Sequence, residues 1–251
     1  MTASFHILSD LHLEHFPGFR LERERVTAPY LILAGDIGSP SEPEYVDFMR
    51  HCSEIFVSVF VVMGNHEAYG ARSLDDAIDK VAAVCDALDN VHFLHRGSYD
   101  LTADLRIIGT TLWSHVPTDR EYDASCFIGD YRRIPGFTVK SSNEEHTTDV
   151  CWLNGEITRA ETDKKNLVVV THHAPLKTGT SHPKFHWSRL NCAFATDLPD
   201  LLHRTPVKVW VHGHTHYNHR EHKVLMTNQK GYESNPDEGI LFDPYFEVFV
   251  A

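Results

Sequence analysis

The feature that most constrains this chain is a recurrence. Five times, a short apolar run rich in β-branched residues empties into a cluster of Asp, Asn or His. The clearest case is the run from Phe56 to Met63, which leads into Gly64-Asn65-His66-Glu67. A continuous apolar run of this length reads as a buried strand. In open α/β sheets, ligands bind beyond the carboxyl ends of the strands. The same pattern carries Phe5-His6-Ile7-Leu8 into Asp10-Leu11-His12, and Tyr30-Leu31-Ile32-Leu33-Ala34 into Gly35-Asp36. It also carries Leu167-Val168-Val169-Val170 into Thr171-His172-His173, and the run from Pro206 to Val211 into His212-Gly213-His214-Thr215-His216. One such event is ordinary turn chemistry; five restrict the fold to sheets whose strands end at a common place.

The intervening segments read as crossovers. Ser41, Pro43 and Glu44 predict a helix running to about Cys52, with Val46, Met49 and Cys52 inward. Ser73-x-x-Asp76 predicts a second, burying Ala77, Ile78, Val81 and Cys85. The capping box Ser142-x-x-Glu145 predicts a third, with His146, Val150, Leu153 and Ile157 on one face. A short helix with Leu198, Leu201 and Leu202 inward precedes the last His-bearing strand. Further strands are expected at 91–94, 105–109, 224–227 and 245–250, with a turn at Arg96-Gly97-Ser98. Strands alternating with helices imply an α/β architecture built largely of parallel crossovers. Neither a repeat nor a linker breaks the chain, so residues 1–251 are expected to form one domain. Two stretches, 110–140 and 176–192, show little periodicity and are expected to rim the site.

Composition enters through what it excludes. A net charge of −12 argues against an extended nucleic acid as partner, because phosphate contacts need clustered Lys and Arg. The five cysteines are scattered and lack C-x-x-C spacing, which predicts reduced thiols in a cytoplasmic protein. No apolar stretch reaches membrane-spanning length, and Met1-Thr2-Ala3-Ser4 leads straight into a strand-like run, so neither a transmembrane helix nor a signal peptide is expected. The anomalous number is 19 His, many of them bunched, which is the composition of a metal site.

Collected, the strand exits offer Asp10, His12, Asp36, Asn65, His66, His172, His214 and His216. One first-row cation takes four to six donors, so this inventory predicts two, with Asp36 the best candidate for a shared carboxylate. A nitrogen and oxygen donor set without thiolate suits Mn, Fe or Zn. Two cations about 3.5–4 Å apart can make hydroxide from a water between them and neutralise the charge of an in-line phosphoryl transition state. His66, beside a ligand but directed elsewhere, can give a proton to the leaving group. A carboxylate is needed to orient it, and Asp36 and Glu67 are the candidates. His173 cannot point inward together with His172 and is expected behind the site or on its rim. Arg132, Arg133 and His173 are candidates for contact with substrate.

Asp10-x-His12, Gly35-Asp36, Gly64-Asn65-His66-Glu67, Val169-x-x-His172 and Gly213-His214-x-His216, in this order, resemble the five motifs of the calcineurin-like metallophosphoesterase superfamily. Asn228-Gln229-Lys230-Gly231-Tyr232 is similar to the closing segment of its small bacterial-type members. The resemblance implies a four-layer αββα sandwich of two mixed sheets packed face to face. It implies one metal held by Asp10, His12, Asp36 and His216, a second held by Asp36, Asn65, His172 and His214, and His66 as the catalytic histidine; it gives His212 no ligand role. Leu13-Glu14 follows the first motif where the protein Ser/Thr phosphatase branch has Gly, which turns the expectation toward small phosphoesters: a phosphodiesterase or broad phosphatase. The alternatives are a non-catalytic scaffold, which in this superfamily typically lacks ligands that are all in place here, and a nuclease, which would want a basic track.

Overall fold

The computed structural model describes residues 2–250. Ten strands form two five-stranded sheets. The first contains β1 (Ala3–Leu8), β2 (Tyr30–Ala34), β3 (Ser58–Val62), β4 (Val91–Phe93) and, from the end of the chain, β10 (Glu247–Val250), in the order β10-β1-β2-β3-β4. The second contains β5 (Gly97–Asp100), β6 (Leu105–Thr110), β7 (Asn166–Thr171), β8 (Val207–Val211) and β9 (Leu225–Met226) in sequential order. Each sheet is parallel except at one edge: β10 runs antiparallel to β1, and β5 to β6.

Three apolar layers show how the sheets stack. Phe5, Ile7, Ile32, Phe60 and Val62 from the first sheet meet Ile107, Val168, Val170, Val209 and Val211 from the second in one buried cluster. The opposite face of the first sheet, with Leu31, Leu33, Val59 and Val61, is covered by α1 (Pro43–Ile55) and α2 (Leu74–Asp86) through Tyr45, Phe48, Met49, Ala77 and Val81. The opposite face of the second, with Ile108, Val169 and Trp210, is covered by Leu153, Ile157 and Ala160 of the long helix at Val139–Asp163. Strands buried on both faces explain the unbroken apolar runs, and the result is the four-layer αββα sandwich.

Differences from the sequence reading fall on helix starts and on the segment after β4. The first helix is preceded by Glu42 rather than started by Ser41, with Pro43 in its first turn; it buries Tyr45 and Phe48, leaving Val46 half-buried. Ser73 caps α2 as expected, its side chain accepting from the Asp76 amide. The long helix starts four residues before the expected box: Thr138 and Ser141 cap it reciprocally, and Ser142 lies buried inside it. A serine at the third helical position replaces the glutamate that sequence signatures look for. Gly97-Ser98 opens an edge strand rather than a turn, with half-buried Tyr99 as its one large apolar residue. Between β6 and the long helix, the stretch expected to be irregular carries α3 (Glu121–Phe127) and α4 (Asp130–Arg133); numbering in chain order, the long helix is α5 and the four-residue helix Pro199–Leu202 is α6.

Candidate metal centre

The parallel strands of both sheets end on one side, and their exits are stitched across the seam. His172 Nδ1 lies 2.8 Å from the carbonyl of Ala34 at the end of β2, and the Gly213 amide donates to the His172 carbonyl at 2.9 Å. The backbone approaches so closely that a methyl group on Gly64 would overlap the Asp36 carboxylate, and one on Gly213 would overlap Ser9 and Asp10. These glycines are therefore fixed by space rather than by turn preference.

Within this seam the side-chain donors gather. Asp10, His12, Asp36 and His216 offer one ligand atom each within 4.8 Å of one another, and Asp36, His172 and His214 do the same. Asp36 belongs to both groups. His12 Nε2 and His216 Nε2 are 3.0 Å apart, and His216 Nε2 is 3.3 Å from Asp10 Oδ1. Asn65 Oδ1 sits 3.1 Å from His172 Nε2, which is 3.4 Å from Asp36 Oδ1. The backbone does not deliver Asp10 and His12 in the extended form the spacing suggests. Asp10, His12, Asp36, His214 and His216 all have φ between 50° and 71°, and they make up five of the nine non-glycine residues with positive φ among those described. Such conformations cost about 1–3 kcal/mol each and collect at functional sites.

The donor set fits cations. Asp10 and Asp36 are fully buried, which alone would push their carboxyls up; hydrogen bonds and charge from His216 and His172 outweigh burial and hold both below the ordinary range. Burial likewise opposes protonation of His172 and His216. Asp36 nevertheless carries His172 up to about 9, and Asp10 with Glu238 carries His216 up to about 10. His12 and His214 go the other way, burial holding them down and leaving their rings free as neutral ligands, and the oxygen and nitrogen donors together are those of a first-row cation.

Several donors are steadied from behind. Glu238 pairs with His216 Nδ1 and accepts from the Tyr232 amide at 2.9 Å. Glu14 Oε1 lies 3.3 Å from His12 Nδ1 and 2.8 Å from His66 Nδ1. Asn65 turns its carbonyl to the cluster because its amide nitrogen donates to Asp130 at 2.8 Å and to the Tyr69 hydroxyl at 3.0 Å. Such partners fix tautomer and orientation.

These contacts correct several expectations. The carboxylate that orients His66 is Glu14, which burial pushes up but its bonds to His12 and His66 bring down to about 2; it is neither Asp36 nor Glu67. Asp36 accepts from the His66 amide at 2.8 Å, and its Oδ2 is 4.0 Å from His66 Nε2. Glu67 instead accepts from the amides of Gly64, Asp36 and Ile37, pinning the exits of β2 and β3 together. Arg132 donates to the Cys126 carbonyl on the surface and does not reach the cluster. Arg133 lies over the Tyr69 ring, 4.3 Å from its centroid. His173 is buried beneath the site, stacked on His214 at 3.9 Å with Nδ1 2.9 Å from Ser114, and is not on the rim. His212 turns away toward His219. Tyr232, which sequence reasoning placed only in a closing segment, puts its hydroxyl 3.0 Å from His66 Nε2, and the neighbouring Gly231 amide donates to the Asp10 carbonyl at 3.0 Å.

The cluster opens into a cavity of about 390 Å³, with Asp36, Asn65, His66, His214 and His216 at its floor. Among the described residues, no helix is long and apolar enough to cross a membrane.

An uncharacterized protein, L509, of Acanthamoeba polyphaga mimivirus is 29% identical over 95% of this chain and 93% of its own length. A dimetal phosphatase from Danio rerio shares the fold with a TM-score of 0.51 at 13% identity, covering 90% of this chain and 86% of that one. A Staphylococcus aureus protein described as a candidate 5′-nucleotidase aligns with a TM-score of 0.46 at 15% identity; 92% of this chain is covered, and it spans only 49% of that protein. The sequence model of the calcineurin-like phosphoesterases matches residues 3–218, and the chain belongs to that family.

Proposed function

We propose that this chain is a metal-dependent hydrolase of small phosphoesters, a phosphodiesterase or broad phosphatase that uses two Mn, Fe or Zn ions. The observation that carries the reading is the pair of donor groups sharing Asp36 at the floor of an open cavity. Asp10, His12, Asp36 and His216 would hold one ion, and Asp36, Asn65, His172 and His214 the other. Bound there, the pair would activate a water and neutralise phosphate charge.

The chain's own groups supply the rest. His66 Nε2 faces the cavity, and Glu14 on Nδ1 fixes its tautomer and supports the protonated ring. From there His66 can give its proton to the departing alkoxide. The Tyr232 hydroxyl, within hydrogen-bond reach of that nitrogen, holds the ring in place before substrate arrives. Asp130 and Tyr69 keep the Asn65 carbonyl aimed at the floor.

The test is metal analysis joined to turnover. Protein loaded with Mn should hold two ions per chain and hydrolyse bis-p-nitrophenyl phosphate or p-nitrophenyl phosphate. Two bound ions with no turnover of either ester would point instead to a scaffold.

A further inference from the structure

The two stretches without periodicity do something specific above the floor. The loop at 181–194 folds against α3 and the turn after it, where Ala124, Ile128, Cys192 and Ala193 form a small core of their own with Leu190 and Phe194. Arg189 locks the two together, donating to Asp123 at 2.7 Å and to the Asp119 carbonyl at 3.3 Å. The joined segments raise an apolar wall over the cavity through Phe127, Ile128, Phe185, Leu190 and Phe194. Phe127 and Phe185 leave 67% and 48% of their surface exposed, and Lys184 Nζ, paired with Asp237, lies 5.0 Å from the centroid of the Phe185 ring. No Lys or Arg lines this cavity among the described residues. Its polar side chains beyond the floor are hydroxyls, amides and two carboxyls already engaged, Asp130 by Asn65 and Glu238 by His216.

We propose that this wall is the subsite for the organic group of the substrate, and that the group it takes is a flat, uncharged aromatic ring. The inference rests on the hydrolase reading for the position of the phosphorus, since the wall begins where the metal floor ends. A second phosphate would find no free cation there, because the ammonium of Lys184 beside Phe185 is already paired with Asp237. An aliphatic polyol would gain nothing from the apolar wall, whereas a ring can pack against its phenylalanines and leave water. The cavity volume suits one ring system beside a phosphoryl group.

Calorimetric titration of Mn-loaded protein with phenylphosphonate and with methylphosphonate isolates the wall, because the two share an anion and neither requires turnover. Phenylphosphonate should bind at least tenfold tighter. The double variant Phe127→Ala/Phe185→Ala should bring the ratio close to one while leaving methylphosphonate affinity unchanged, and Phe127→Tyr/Phe185→Tyr should keep the ratio. Both positions are surface-exposed, so the sandwich does not depend on them. Equal affinities in the unaltered protein, a ratio that survives loss of both rings, or no binding of either anion overturns the proposal. Aryl preference without hydrolysis of any ester sinks the hydrolase reading and spares the wall; hydrolysis without aryl preference does the reverse.

Discussion

The two halves of the centre are built differently. The half containing Asp10, His12 and His216 is made wholly of left-handed residues, and its imidazoles are backed by the carboxylates Glu14 and Glu238. The half containing Asn65, His172 and His214 leaves Asn65 at an ordinary φ of −81° and backs His172 with the neutral carbonyl of Ala34. A carboxylate behind an imidazole makes it the more basic ligand. The first half therefore concentrates negative charge and strain, the second burial and rigid packing, and the first should hold its cation more tightly.

Breaking the element common to both halves should have the largest effect. Asp36→Asn should lower metal content from two ions toward none and activity by at least about a thousandfold, read by metal analysis and turnover; retained stoichiometry would refute a shared carboxylate. Next comes His66→Ala, which belongs to neither half. It should keep both ions and lose roughly 10²–10⁴ in kcat, most for esters with poor leaving groups. Glu238→Gln discriminates the halves. It should weaken one of two ions by about 10–100-fold in a chelator titration and leave the other unchanged; parallel loss of both would erase the contrast. Glu14→Gln touches the same half through His12 and should weaken the same ion, but unlike Glu238→Gln it should also lower kcat and displace the pH profile at saturating metal, because Glu14 holds His66 as well. Smallest is Ser73→Ala at the α2 cap, remote from either half: about 1 kcal/mol of stability by denaturant unfolding, with activity untouched.

The contrast also explains what the sequence made legible. Strand interiors and their exits were readable because burial on both faces writes an unbroken apolar run, and a donor at its end has one place to go. Asp36, His172 and the His214 pair could thus be assigned to one spot without coordinates. Glu14, Tyr232 and Glu238 could not, because each arrives through a loop whose path depends on tertiary contacts, and neither could Asp130, which opens the four-residue α4. Glu14 was visible only as the residue standing where another branch has glycine; the alternation Asp10-x-His12-x-Glu14 was the one available hint. The wall was illegible for a related reason: α3 is seven residues long, too short for helical periodicity to stand out, and the rest of the wall comes from the turn after it and the loop at 181–194. Arg132 shows the converse error, a plausible charge in the right stretch that a short helix turns to the surface.

The contacts of Gly231 and Tyr232 bear on the order in which the molecule can be completed. The surroundings of Asp10 and His12 are closed by groups that are synthesised more than two hundred positions later. A growing chain could pair β1 to β4 beneath α1 and α2 early, but the pocket would stay open on one side until the residues near 232 emerged. A fragment ending shortly after His216 would carry every proposed ligand and still lack the tyrosine against His66 and the glutamate behind His216.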